Sequence, residues 1–86
     1  MPAKSFLKDV QKLDRKDQEK VWKAVQKFTH NHSLPGLNFE KLAGYENLWS
    51  IRADISLRIL LSRTDSDGDV VWFLEGVGPH DVYRTR

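Results

Sequence analysis

Between residues 49 and 61 the apolar side chains fall on alternate positions, and two such runs in succession admit one good alignment. Trp49, Ile51 and Ala53 share one face of the first run, while Leu48, Ser50 and Arg52 share the other. In the second, Leu57, Ile59 and Leu61 share a face, with Arg58, Leu60 and Ser62 opposite. Side chains alternate across a strand, so a one-residue slip would carry each apolar row to the wrong side. A two-residue loop would set Ile51 against Arg58 and push a cation into the apolar layer. A three-residue loop at Asp54-Ile55-Ser56 pairs Ala53 with Leu57 and Arg52 with Arg58, and matches apolar to apolar. The expectation is an antiparallel hairpin with both arginines side by side on its less apolar face, turned away from the helices.

Like charges directly opposite each other on a sheet repel unless an anion lies between them. Two anions could fill that place. The turn Asp65-Ser66-Asp67-Gly68 leads into a third strand, about 69–77, and any even-length loop there puts Val71, Phe73, Glu75 and Val77 on the arginine face. Glu75 would then be a resident counter-charge. A phosphodiester is the alternative, since each guanidinium fork matches two of its oxygens.

The N-terminal half has helical spacing instead. Phe6, Val10 and Leu13 recur at i, i+4 and i+7, predicting a short helix over 5–13 with Ser5 as its cap. Asp14 caps a longer helix, roughly 15–31, whose apolar stripe is Val21, Ala24, Val25 and Phe28. Leu34-Pro35-Gly36 stops it, and Asn38–Leu42 is a connector of undefined form before the strands at about 47–53 and 57–63. Trp49, Trp72 and Trp22 are expected in the core, Trp22 at its margin.

With 86 residues and no linker, the chain reads as one domain over 1–86. Lys+Arg 14 against Asp+Glu 12 gives +2, mildly basic and compatible with a nucleic-acid partner. Cys 0 excludes a disulfide framework and a thiolate metal site. Neither a signal peptide nor a membrane-length apolar run is present, so the expected location is the cytoplasm, with no membrane partner. His30 and His32, two apart at a helix end, do not aim both rings at one ion, and there is no phosphate-binding glycine loop. No metal, cofactor or small-molecule ligand is expected.

Other groups able to carry chemistry are scattered along the chain. Glu40 precedes the sheet, as a solvated carboxylate or as a proton acceptor if its connector runs beside Arg52. His80 follows the last strand within Gly78-Pro79-His80-Asp81, and an imidazole with an ordinary pKa of about 6.5 suits proton transfer. Tyr83 with Arg84 and Arg86 forms an aromatic and cationic tail, either a frayed end or a group that stacks on a base and presses on phosphate. A carboxylate, two guanidiniums, an imidazole and a phenol suffice for metal-free RNA cleavage if the fold gathers them.

The ordered set Pro35-Gly36-Leu37-Asn38-Phe39-Glu40-Lys41-Leu42, Trp49-Ser50-Ile51-Arg52, Arg58-Ile59 and Val77-Gly78-Pro79-His80-Asp81-Val82-Tyr83-Arg84, behind a helical hairpin, resembles the RelE/ParE superfamily of toxin–antitoxin toxins. The resemblance implies an α+β fold, with an N-terminal helical hairpin packed on one face of a small twisted antiparallel sheet. It implies a ribosome-dependent mRNA endoribonuclease in which Glu40 is the general base, Arg52 and Arg58 hold the phosphate, and His80 is the general acid. Tyr83 matches an adjoining aromatic of the family. The implied partners are a cognate antitoxin, the ribosome and mRNA. The alternatives are a ParE-like inhibitor of DNA gyrase, which cleaves nothing, and a catalytically inactive antitoxin-binding module. Relatives begin with a strand before the first helix, for which only Met1–Ser5 is available here, so that strand is expected to be short or absent.

Overall fold

The computed structural model describes residues 2–31 and 36–79. Two helices, α1 (Lys4–Gln11) and α2 (Arg15–His30), precede four strands: β1 (Glu40–Lys41), β2 (Trp49–Asp54), β3 (Leu57–Ser66) and β4 (Asp69–Gly78). The strands form one antiparallel meander in the order β1-β2-β3-β4. Phe6 and Val10 of α1 and Val21, Ala24 and Phe28 of α2 share a core with Ile51, Ile59, Leu61, Leu74 and Val77. Both helices therefore cover the same side of the sheet.

The Asp14 cap forms as the sequence requires, its Oδ1 accepting the Asp17 N–H at 2.9 Å. Gln18 reaches back from α2 and donates to the Val10 and Leu13 carbonyls, both at 3.0 Å, closing the end of α1. Ser5 does not cap α1. The helix starts one residue earlier, with Ala3 in the cap position, and the Ser5 hydroxyl donates to the Glu75 carbonyl at 2.6 Å.

That bond is one of three that tie α1 to the outer edge of β4. The Ala3 N–H donates to the Leu74 carbonyl at 2.9 Å, and the Val77 N–H donates to Asp9 Oδ2 at 3.0 Å. Among the described residues, the N-terminal segment makes one parallel bridge to the sheet, between Pro2 and Leu74. Side chains of α1 satisfy the edge that a longer strand would have covered.

Two bulges shape the sheet. Asp54 pairs with Leu57 and Arg52 with Arg58, so the loop is Ile55-Ser56 and Ala53 is the extra residue of a bulge. The expected Ala53–Leu57 pair is thus replaced, while the Arg52–Arg58 pair forms. On β4, Leu61 pairs with Leu74 and Leu60 with Gly76, which makes Glu75 the second bulge. Val77, expected on the arginine face, is carried by this shift into the core opposite Ile59. The β3–β4 turn is Asp67-Gly68, both at positive φ (51° and 84°), as a tight two-residue hairpin demands.

Phe28, Phe39, Trp49 and Trp72 meet edge to face, with centroids 5.0–5.5 Å apart. Trp22 departs from its expected core position: it is 40% exposed, with its ring edge-on to Phe6 at 5.7 Å. Among the described residues no helix is long and apolar enough to cross a membrane.

Candidate active site

The connector from Asn38 to Leu42 contains a strand that sequence spacing did not reveal. Two residues are too few to display alternation, and tertiary anchors decide the pairing. Leu37 is buried in the core, and its carbonyl accepts the Arg52 N–H at 2.6 Å. Lys41 pairs with Trp49, and its ammonium lies 5.5 Å from the indole centroid on the helix side of the sheet. Between these anchors, Glu40 pairs with Ser50 and takes the opposite side.

Cross-strand partners share a face, so the register fixes which side chains meet. One row runs Glu40, Ser50, Leu60, Gly76; the next runs Arg52, Arg58, Gly78. Glu40, Arg52 and Arg58 therefore emerge on the face turned away from α1 and α2. Arg52 and Arg58 are direct partners with Cβ atoms about 5 Å apart, and Glu40 lies diagonal to Arg52 at roughly 7–8 Å. Beside this group β4 supplies only glycine, which admits close approach of another backbone or a ligand.

The two guanidiniums have different surroundings. Arg52 is exposed, whereas Arg58 is only 9% exposed and, with Ser50 and Leu60, makes a buried patch. Arg58 Nη1 is buried and has no hydrogen-bond partner among the described residues. A buried charged donor left without an acceptor costs more than the ~1–3 kcal/mol of a neutral one. Repulsion from Arg52 adds to that cost.

Glu75 does not relieve it. Bulged out of register, it accepts a hydrogen bond from the Ser62 hydroxyl at 2.8 Å. Ser62 lies four residues from Arg58, about 13 Å along the strand. No carboxylate pairs with either arginine among the described residues. Among the described residues the positive charge on this face is not balanced.

His30 is exposed in the last turn of α2. His32, His80, Tyr83, Arg84 and Arg86 lie outside the described residues. The described part of the site is thus a carboxylate and two guanidiniums, enough to accept a proton and hold a phosphate.

No family model matches the chain, and no curated protein matches it in sequence. Solved structures do match. RelE in the RelB–RelE antitoxin–toxin complex from Methanococcus jannaschii superposes with a TM-score of 0.70 at 19% identity, over 99% of this chain and 95% of that one. The YoeB/ParE toxin from Agrobacterium tumefaciens gives 0.74 at 18% identity, over 93% and 95% of the two chains. YafQ from E. coli strain BL21(DE3) gives 0.69 at 17% identity, over 95% and 92%. The fold is RelE-like. RelE is thus seen with the antitoxin RelB, and YafQ is also seen in an E. coli DinJ–YafQ toxin–antitoxin complex.

Proposed function

We propose that this chain is the toxin of a type II toxin–antitoxin pair and cleaves mRNA on the ribosome without metal. The observation that carries this reading is Arg58: a buried guanidinium with an unpartnered N–H, faced by Arg52 and flanked by Glu40 on one side of a RelE-like sheet. A scissile phosphate supplies acceptors for both forks and cancels their repulsion.

In this scheme Glu40 takes the proton of the 2′-hydroxyl, and the freed oxygen attacks the adjacent phosphorus. Negative charge grows on the non-bridging oxygens, where Arg52 and Arg58 stabilise it more strongly than in the ground state. The bond to the 5′-oxygen breaks as His80, protonated, delivers its proton to that oxygen. The products are a 2′,3′-cyclic phosphate and a free 5′-hydroxyl, so atoms and charge balance without a cofactor. Tyr83 positions the RNA, with Arg84 and Arg86 on its backbone. The partner is an antitoxin that neutralises the arginine face, and the setting is the cytoplasm.

Purified 70S ribosomes programmed with a defined mRNA test the reading. Primer extension should reveal A-site cuts with the wild-type protein and none with Glu40→Gln or Arg58→Met. Intact mRNA with the wild-type protein, together with an early block in DNA replication on induction, would replace it with the gyrase-directed alternative.

A further inference from the structure

A groove of about 350 Å³ lies between α2 and the C-terminal end of β2, lined by Lys20, Lys23, Lys27, Leu37, Arg52 and Asp54 among others. Lys16, Lys20, Lys23 and Lys27 recur at i, i+4, i+7 and i+11, which aligns them in one stripe roughly 16 Å long. Asp54 is the one acid among the described residues that line the groove, and Lys20 already holds it at 2.9 Å. Among the described residues Lys23 and Lys27 have no anionic partner, so α2 brings two uncompensated cations to the groove. Arg52 joins the two surfaces: the residue is part of the groove's lining, and its side chain stands beside Arg58 on the far face of the sheet.

We propose that this groove binds the phosphodiester backbone of a single-stranded RNA, continuing the strand whose scissile phosphate sits at Arg58. Three observations favour this occupant: the groove's uncompensated positive charge, the linear spacing of the lysines, and continuity with the arginine face through Arg52. The proposal rests on the ribonuclease reading for the identity of the strand, but its test does not need cleavage.

A 2′-O-methylated RNA dodecamer cannot be cut by 2′-hydroxyl attack, and its binding is followed by fluorescence anisotropy from 50 to 300 mM salt. Lys23→Gln/Lys27→Gln, at exposed positions with no partner to lose, should bind it roughly three- to tenfold more weakly. The slope of log K against log salt should flatten by about 1.4, two single-strand contacts. Lys8→Gln/Lys12→Gln, in the last turn of α1 and at its C-cap, is the charge-matched control and should bind like wild type. An unchanged slope in the groove variant overturns the proposal, as does equal weakening in the control. A polyglutamate peptide and an RNA hairpin duplex are the competing probes. Selective loss of either, with dodecamer binding intact, assigns the groove to an acidic protein segment or to structured RNA and overturns the single-strand assignment. A slope change in a protein that cuts no mRNA keeps the groove and removes the endoribonuclease.

Discussion

Arg52 stands directly opposite Arg58 although only Ile55 and Ser56 form the loop between their strands, because Ala53 bulges out of the β2–β3 ladder. A regular ladder on the same two-residue loop would set Ala53 against Arg58 and turn the β2 core residues outward. The bulge keeps Ile51 opposite Ile59 in the core and both guanidiniums on the other side. Bulges recur beside functional sites because they re-aim side chains in this way.

Arg58 sacrifices stability for its position, and replacement should expose that. Arg58→Met removes a buried guanidinium whose Nη1 has no partner among the described residues, together with its repulsion with Arg52. Chemical denaturation should find the variant more stable by about 1–2 kcal/mol. Cleavage of ribosome-bound mRNA should fall by about 10²–10³-fold, the loss typical of one transition-state donor. A variant that is both less stable and inactive would mean that Arg58 is structural.

Glu40 should behave differently. It is exposed and has no partner among the described residues, so Glu40→Gln leaves the denaturation midpoint within error. Single-turnover cleavage should slow by about 10²–10⁴-fold, as for loss of a general base. Binding of uncleavable RNA should not weaken. Weakened binding with normal turnover would make Glu40 a positioning group instead.

Glu75 separates the two explanations of the arginine pair. Held by Ser62, it should contribute stability and nothing to the charge balance at Arg58. Glu75→Ala should cost about 1–2 kcal/mol through the lost hydrogen bond, while RNA affinity stays unchanged. Tighter RNA binding in this variant would identify Glu75 as the counter-ion after all.

How much of this was legible in the sequence depends on how local each determinant is. The Asp14 cap and the Val21, Ala24, Phe28 stripe are signals within α2 itself, and they read correctly. Alternation in β2 and β3 was strong enough to put Arg52 beside Arg58. The bulges at Ala53 and Glu75 were not legible, because one extra residue leaves the apolar pattern on either side intact. Val77 was misplaced for that reason. The face occupied by Glu40 depends on Lys41 lying over Trp49 and on Leu37 in the core, contacts between segments that spacing does not encode. Ser5 looked like a cap because the Glu75 carbonyl it serves is 70 residues away.

The α1–β4 stitching predicts local behaviour at the sheet edge. Asp9→Ala orphans the Val77 N–H, a buried backbone donor, and should destabilise the protein by about 1–3 kcal/mol. Hydrogen exchange at Val77 should accelerate more than at Ile59, whose strand lies inside the sheet. Uniform acceleration across both residues would show that Asp9 acts on global stability alone.

The Asp54–Lys20 pair gives a titration with a defined sign. The hydrogen bond from Lys20, followed by that from the Ile55 N–H, lowers the Asp54 carboxyl below its ordinary value of 3.8. A carboxylate whose folded pKa is depressed adds stability above its unfolded pKa and loses it as pH falls through the folded pKa. The pair's contribution is therefore complete at neutral pH and disappears on the acid side, below 3.8. Lys20, raised from 10.5 chiefly by the same hydrogen bond, loses its share only as pH climbs beyond that value. Carbon-detected NMR should find Asp54 titrating below its ordinary value of 3.8, and Lys20→Met should move it upward toward that value. An Asp54 titration that ignores the Lys20 substitution would mean that the Ile55 turn alone holds the carboxylate.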